Sequence, residues 1–538
     1  MALSSTNNGI HWFRKGLRLS DNPALLEALS RKPDNLYPVY ILDGDCYQLR
    51  HCSALRANFL VECLQDLDNM LRSKGSRLFV VKGDPAVILP KLWNDWQINF
   101  MTFEEDESGE EYATSRDTTI RDLAKIHDID VVSCASETIH PLHLYTSKAG
   151  KGMPNSMSAF QKLFSSMGPI SKALDIPSIF PSCGKEIDDN YRPPKGPTQI
   201  PWPRGVPREQ VYPLWKAKDC ENLTPIVRGG ETNALRQLAL SITAKPSYVA
   251  TFEKPLTSCT SLKPSTTALS PYLSLGCLSP RTVWFAISEA SERSSTTKRS
   301  QPPVSLHGQL LWRDFNNLMA NSAGPNWGRM DGNKYCRPIP WGHNQQLLEA
   351  WKNGLTGYPW IDACMKQLQQ EGWIHHLGRH AVACFLTRGD LWQSWEQGAI
   401  HFESQLLDAD HALNGFNWLW LSCSGFFYQY FRCYSPVAFQ KKNDPSGQYI
   451  RKYLPVLAKL PDKYIYEPWK APAVTLTGCG VQLGVNYPKP IVDHSVVSKE
   501  NMEKMSLAYT EYNSQAESKK SGRKNEDKNP SRKKHKQS

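Results

Sequence analysis

Strand and helix alternate through the first 135 residues, and after residue 229 the strand signal stops. Short apolar runs at Gly9-Ile-His-Trp-Phe13, Tyr37-Pro-Val-Tyr-Ile-Leu42, Arg77-Leu-Phe-Val-Val81, Phe100-Met-Thr-Phe103 and Asp130-Val-Val132 are separated by helical periods at Leu60–Lys74 and Ala86–Trp93. An earlier helix, after the first strand, opens at Asp21-Asn22-Pro23, with Asn22 placed to cap it and Pro23 at its first turn. Strands joined by helices must run parallel, and helices then cover both faces of the sheet. The fold class expected is therefore α/β plus all-α: an N-terminal parallel-sheet, Rossmann-like domain followed by a helical domain. No G-x-G-x-x-G or P-loop follows any of these strands, which excludes an ordinary dinucleotide or NTPase module, and Gly478-Cys-Gly480 lacks the right continuation.

The helical half carries periods at Asn233–Ala244, Ser305–Ala323, Leu347–Trp351, Trp360–Glu371, Trp373–Leu386 and Phe402–Asn414. A chain of 538 residues is too long for one core. The expected organisation is an α/β domain over residues 1–135, a Pro/Ser/Gly-rich surface connector over 136–220, a helical domain over 221–505 and a disordered basic tail over 506–538. The net charge of +11 is concentrated at the end: from Glu517 onward nine Lys/Arg against three acids give +6, which leaves +5 for the rest. Such a tail suits nuclear import or contact with nucleic acid. Fourteen Cys without a C-x-x-C pair point to a reducing compartment. The N-terminus lacks a basic stretch followed by an apolar core, so no secretory signal is expected, and no apolar run reaches the ~20 residues of a membrane span.

One stretch of the helical half stands apart. In Trp373-Ile-His-His-Leu-Gly-Arg-His-Ala-Val-Ala-Cys-Phe385, His376, Arg379 and His380 share one helical turn. Two imidazoles and a guanidinium are an odd choice for core packing, and Gly378 between them points to a close approach. Thr266, Thr267 and Ser270 precede Pro271 at a helix start, a plausible phosphate cradle with Lys254 upstream. Gln309, Trp312 and Arg313 form a platform for stacking and hydrogen bonding a flat ligand, although an amphipathic helix with one buried Trp would read the same way. Asp408, flanked by Leu and Trp residues, is a candidate partner for Arg379. His375, His376 and His380 lack the H-E-x-x-H spacing, so no metal is expected.

These motifs resemble those of the photolyase/cryptochrome flavoproteins. The likeness rests on Trp312-Arg313-Asp-Phe, Gly357-Tyr-Pro-Trp-Ile-Asp362, Glu371-Gly-Trp-Ile-His-His376, Leu386-Thr-Arg-Gly-Asp-Leu391, Tyr434-Ser-Pro-Val-Ala-Phe439 and Trp12-Phe-Arg-Lys-Gly-Leu-Arg-Leu-Ser-Asp-Asn-Pro23. It spans roughly residues 9–512 and is most like the animal (6-4) photolyases and animal cryptochromes. The resemblance implies an antenna-type N-terminal domain and a helical domain that binds FAD. It implies FAD phosphates held by Thr266, Thr267 and Ser270, and a cofactor pocket lined by Gln309, Trp312, Arg313 and His376. An Arg379–Asp408 pair would lie beside the flavin ring, with Asp410 on its polar edge and Asn414 facing N5. Trp418, Trp395 and Trp341 match the electron-transfer chain, with Trp392 as a candidate fourth member. His376, His380 and Tyr434 match the catalytic group, near Trp420, and Lys254 and Arg432 match residues that hold DNA around a flipped-out lesion. A second, antenna chromophore, deazaflavin or folate, is left open.

The sequence departs from that pattern at Asn316-Asn317, where two aromatics are usual, at Phe416 beside Asn414, and at His411, where a Trp is common. Two functions follow. One is blue-light-driven repair of (6-4) lesions in UV-damaged DNA, favoured by His376, His380, Tyr434, Lys254 and Arg432. The other is a cryptochrome, a photoreceptor or transcriptional regulator with clock or transcription-factor partners, favoured by the departures. The balance of residues favours repair. A monomer, nuclear through its basic tail with a share in the cytoplasm, is expected.

Overall fold

The computed structural model describes residues 6–43, 52–150, 152–176, 178–184, 191–195 and 224–526. Five strands form one parallel sheet in the order β3-β2-β1-β4-β5: β1 (Asn8–Phe13), β2 (Asn35–Leu42), β3 (Phe79–Lys82), β4 (Phe100–Glu104) and β5 (Asp130–Cys134). β1 lies at the centre, with Trp12 opposite Val39 of β2 and Phe103 of β4, and all six of its residues are buried. Helices α1 (Pro23–Ser30), α2 (Ala54–Arg72), α3 (Pro85–Asp95) and α4 (Glu111–Ile126) make the crossovers. Ile10, Trp12, Val39, Ile41, Phe79, Leu89, Trp93, Met101 and Phe103 form a core between sheet and helices. As expected, Asn22 caps α1, its side chain accepting from the Leu25 amide at 3.0 Å, and Pro23 occupies the first turn.

The described chain divides into two compact bodies. One comprises Met1–Gly328, Lys366–His376 and Ala399–Phe416; the other comprises Arg329–Met365, Leu377–Gly398 and Asn417–Ser538. In the first, the basic turn after β1 is buried. Arg18, 2% exposed, pairs with Glu104 at 2.7 Å and donates to the Gly276 carbonyl at 2.9 Å. Glu231 accepts from the Leu19 and Ser20 amides at 2.6 and 3.0 Å. These bonds tie the sheet to the start of the helical segment within the one body.

The stretch read as a surface connector begins with two helices, α5 (Leu142–Ala149) and α6 (Met157–Ser165), whose Leu142, Tyr145 and Phe160 are buried. What draws them in is Asp314 on the helix Leu306–Ala323, fully buried, which accepts from the Ile139 amide at 3.0 Å and the Tyr145 hydroxyl at 2.8 Å. Much of the remainder, 196–223, lies outside the described residues.

The key histidine helix begins at His376 rather than Trp373, because Gly372, with φ +66°, breaks the chain after the helix Pro359–Glu371. It runs to Cys384 and is followed by a wide turn, Phe385–Gly389, that is kinked at Thr387, where φ −97° and ψ −112° are non-helical. The last helix, His494–Glu526, carries on through residues 506–526, where the tail was expected to begin; residues 527–538, with the basic cluster Arg532-Lys-Lys-His-Lys536, lie outside the described residues.

Candidate functional site

In the first body the hydroxyl cradle has a held shape. Ala268 sits at φ +52°, a left-handed conformation costly for a residue with a Cβ, directly after Thr267. Gln237 Nε2 donates to the Thr267 carbonyl at 2.8 Å and fixes that turn. Thr266 and Thr267 are half-buried, and Ser270 is exposed and donates to Asp408 Oδ2 at 2.7 Å. Gln309 and Trp312 stay half-exposed on a helix whose neighbours are nearly all buried. Polar groups kept accessible among buried helices, beside a turn held against its preference, fit a phosphate-bearing aromatic cofactor.

Arg313 is buried; it donates to the Glu137 carbonyl and lies 3.9 Å from Asp410. Asp410 also accepts from the Leu413 amide at 3.1 Å, capping the helix His411–Leu421. Asn414 Nδ2 donates to the Ala399 carbonyl at 2.9 Å. His375 is buried, with Nε2 at 2.8 Å from Thr257 Oγ1, and its ring lies 4.2 Å from that of half-exposed His376, tilted by 42°. Lys254 is half-buried in a 3-10 turn.

Two of the three departures are packing features, and the third, His411, lines a cleft. Phe416 is 3% exposed, its ring 6.1 Å from Trp312, 5.5 Å from Phe315 and 6.5 Å from Trp327. Asn317 Nδ2 donates to the Arg313 carbonyl at 3.0 Å, and Asn316 is buried. His411 lines a cleft with Arg14, Lys15, Asp106, Glu110 and Glu137. That cleft opens where β1 and β4 end, the point at which the strand order reverses, the usual place for a ligand in an open parallel sheet. Its wall is charged: Lys15 reaches Glu137 at 3.1 Å and Asp106 at 3.4 Å, while burial raises the Glu137 carboxyl to about 7.

The second body holds His380, Tyr434 and the four tryptophans Trp341, Trp392, Trp395 and Trp418. His380 Nδ1 lies 3.1 Å from the Tyr434 hydroxyl, both side chains half-exposed, and burial raises the Tyr434 pKa. Arg379 is half-exposed on the same helix; its expected partner Asp408 belongs to the other body. Arg432 is exposed, and Trp420 stacks on Phe427 at 5.1 Å with planes 19° apart.

Trp418 and Trp395 are buried at 1% and 0% exposure, and Trp341 is 6% exposed. Trp341 lies 4.8 Å from Trp392, which is half-exposed, donates Nε1 to the Pro340 carbonyl at 3.0 Å and carries the Lys504 ammonium 5.1 Å from its ring. Trp341 and Trp392 are thus one contacting pair of indoles, the inner one buried and the outer one accessible.

Two functional-looking groups escaped the sequence reading. Asp390, fully buried, pairs with His494 at 2.6 Å, and Arg388 grips the loop before Tyr434. Both lie in Leu386-Thr-Arg-Gly-Asp-Leu391, a motif noticed for its resemblance rather than for its charges.

Residues 9–177 match the family "DNA photolyase", and residues 305–507 match "FAD binding domain of DNA photolyase". The chain is 44% identical to Cryptochrome-1 of Gallus gallus over 505 residues, 93% of this chain and 78% of that protein. It is equally similar to Cryptochrome-1 of Rattus norvegicus, 44% over 93% of this chain and 82% of that protein. Among solved structures, a bacterial class III photolyase from Agrobacterium tumefaciens superposes with a TM-score of 0.76 at 28% identity, covering 95% of this chain and 100% of that one.

Proposed function

The chain belongs to the photolyase/cryptochrome family of FAD-binding proteins, and from that premise we propose that it works as a cryptochrome, a blue-light-responsive regulator without repair activity. The observation that carries this reading is the 44% identity, over 93% of the chain, to animal proteins named Cryptochrome-1. It reverses the balance drawn from the site residues alone. The departures no longer weigh on either side, since Phe416, Asn316 and Asn317 are packed into a core.

FAD, when bound, supplies light absorption and one-electron chemistry. On this reading Thr266, Thr267 and Ser270 hold its phosphates, and Gln309, Trp312, Arg313, His376, Asp408, Asp410 and Asn414 line its pocket. Trp392 and Trp341 relay electrons inward toward Trp395 and Trp418. Clock or transcription-factor partners and a nuclear location through the basic tail belong to the same reading.

A second reading, repair of (6-4) lesions, is favoured by one contact: His380 Nδ1 and the Tyr434 hydroxyl at 3.1 Å form a pair able to hold and move a proton. Purified protein, a defined (6-4) thymine lesion and blue light separate the two. The cryptochrome reading expects photoreduction that slows in Trp341→Phe and Trp392→Phe, with the lesion unchanged. Restored thymine, abolished by His380→Ala, would overturn it in favour of repair.

A further inference from the structure

Arg388 is 2% exposed, yet its hydrogen bonds go to main-chain carbonyls rather than to a carboxylate. Nε donates to Leu421 O at 3.0 Å, Nη1 to Tyr430 O at 2.8 Å and to Arg432 O at 3.1 Å, and Nη2 to Arg432 O at 3.1 Å; Cys433 Sγ lies 3.5 Å from Nη1. A buried guanidinium is expensive to desolvate, and its rigid fork of donors fixes whatever accepts from it.

What it fixes is irregular. Residues 422–436 contain no helix or strand, and Tyr434 sits two positions after the clamped Arg432 carbonyl. Arg388 itself lies in the turn Phe385–Gly389 that follows the helix carrying His380, directly after a kink at Thr387, whose φ −97° and ψ −112° are non-helical. The Thr387 hydroxyl donates to the Ala383 carbonyl at 2.7 Å, which ties the kink back to that helix. The helix therefore presents His380 directly, and the kinked turn at its end reaches across to hold the backbone that presents Tyr434.

We propose that Arg388 is the positioning residue of the His380–Tyr434 pair: its fork sets where the Tyr434 hydroxyl stands and so maintains the hydrogen bond at His380 Nδ1. Arg388 touches neither cofactor nor substrate in this role; it acts through the loop. The inference rests on the preceding reading only in taking this pair as part of the working site, and holds whether the site signals or repairs.

The test needs neither light nor lesion. Histidine imidazoles are titrated by NMR in the flavin-loaded full chain, with the His380 signal assigned by its loss in His380→Asn. Arg388→Lys keeps the charge and loses the fork. It is expected to move the His380 midpoint to the value seen in Tyr434→Phe, and to add no further shift in the Arg388→Lys/Tyr434→Phe double variant. A midpoint unchanged by Arg388→Lys, or moved equally with and without the tyrosine hydroxyl, would overturn the proposal. Should Arg388→Lys not fold, native-state hydrogen exchange of the unaltered chain decides. The amides of 430–434 are expected to open together with those of 385–389, and loop amides exchanging on the order of 100-fold faster would refute the clamp. A negative outcome here leaves the lesion assay unaffected, so the two readings fail separately.

Discussion

Phe416 offers the sharpest test of where the ring beside Asn414 actually goes. A bulky residue at this point of the sequence invites the expectation of a ring against the cofactor, but in the structure it is 3% exposed and closes an aromatic cluster with Trp312, Phe315 and Trp327. Truncation to Ala removes a whole buried ring from a packed core, and such changes cost about 3–5 kcal/mol. Two of the three contacts are edge-to-face, at 61° and 66°, each contributing about 0.5–1.5 kcal/mol of that total. Phe416→Leu keeps most of the volume and loses only the ring geometry, so it costs no more than about 1.5 kcal/mol. Urea unfolding followed by near-UV circular dichroism measures both. The expected order is parent, then Leu, then Ala, with the visible spectrum of bound flavin unchanged in all three at low denaturant. An Ala variant within ~0.5 kcal/mol of the parent but with an altered flavin spectrum would refute the placement.

Further outcomes follow from other sites. In Gly398→Ala a new Cβ would stand 2.1 Å from the Trp418 ring, so the indole must shift; photoreduction is expected to slow while flavin content holds, and unchanged kinetics would contradict Trp418 as a relay. Burial raises the Asp314 carboxyl from 3.8 to about 7, so between those values the folded chain keeps a proton that the unfolded chain has released, and stability falls as pH rises across that window. Asp314→Asn should flatten that slope in denaturation midpoints taken at pH 5 and 8, and an identical slope would exclude this carboxyl as its source. The His494 imidazole, hydrogen-bonded to Asp390, is held above 6.5, while burial raises Asp390 despite its partner. The stabilising charge on His494 is therefore complete below pH 6.5 and is lost as pH rises through its raised pKa. Hydrogen exchange at residues 494–505 should speed up with pH beyond its intrinsic dependence, and His494→Gln should abolish that excess.

Much of the fold was written in local patterns. Alternating apolar runs fixed five strands, and Asn22-Pro23 marked a helix start that the structure reproduces. The short helices α5 and α6 were not legible, because α5 is anchored by Asp314 and α6 packs its Phe160 on Phe315, both more than 150 residues downstream, rather than being marked by their own periodicity. At the site, the residue types of His380, Tyr434 and the tryptophans announced themselves through motifs. Their supports did not. Arg388 looks like any surface arginine in sequence, and only the return of the chain at 430–432 turns it into a buried clamp. The preference for repair was drawn from a few site residues alone, whereas the identity to proteins named Cryptochrome-1 is spread over 93% of the chain.

The kink at Thr387, with φ −97° and ψ −112°, has a consequence for how such chains diverge. The regular helix that carries His380 gives way there, so the direction of Arg388 is set by the kink and not by the register of that helix. A change that straightened Thr387 would swing Arg388 away from the loop with His380, Tyr434 and the acceptor carbonyls all still present. Between relatives, the change that uncouples this pair is then one at the kink rather than a substitution at any residue of the site.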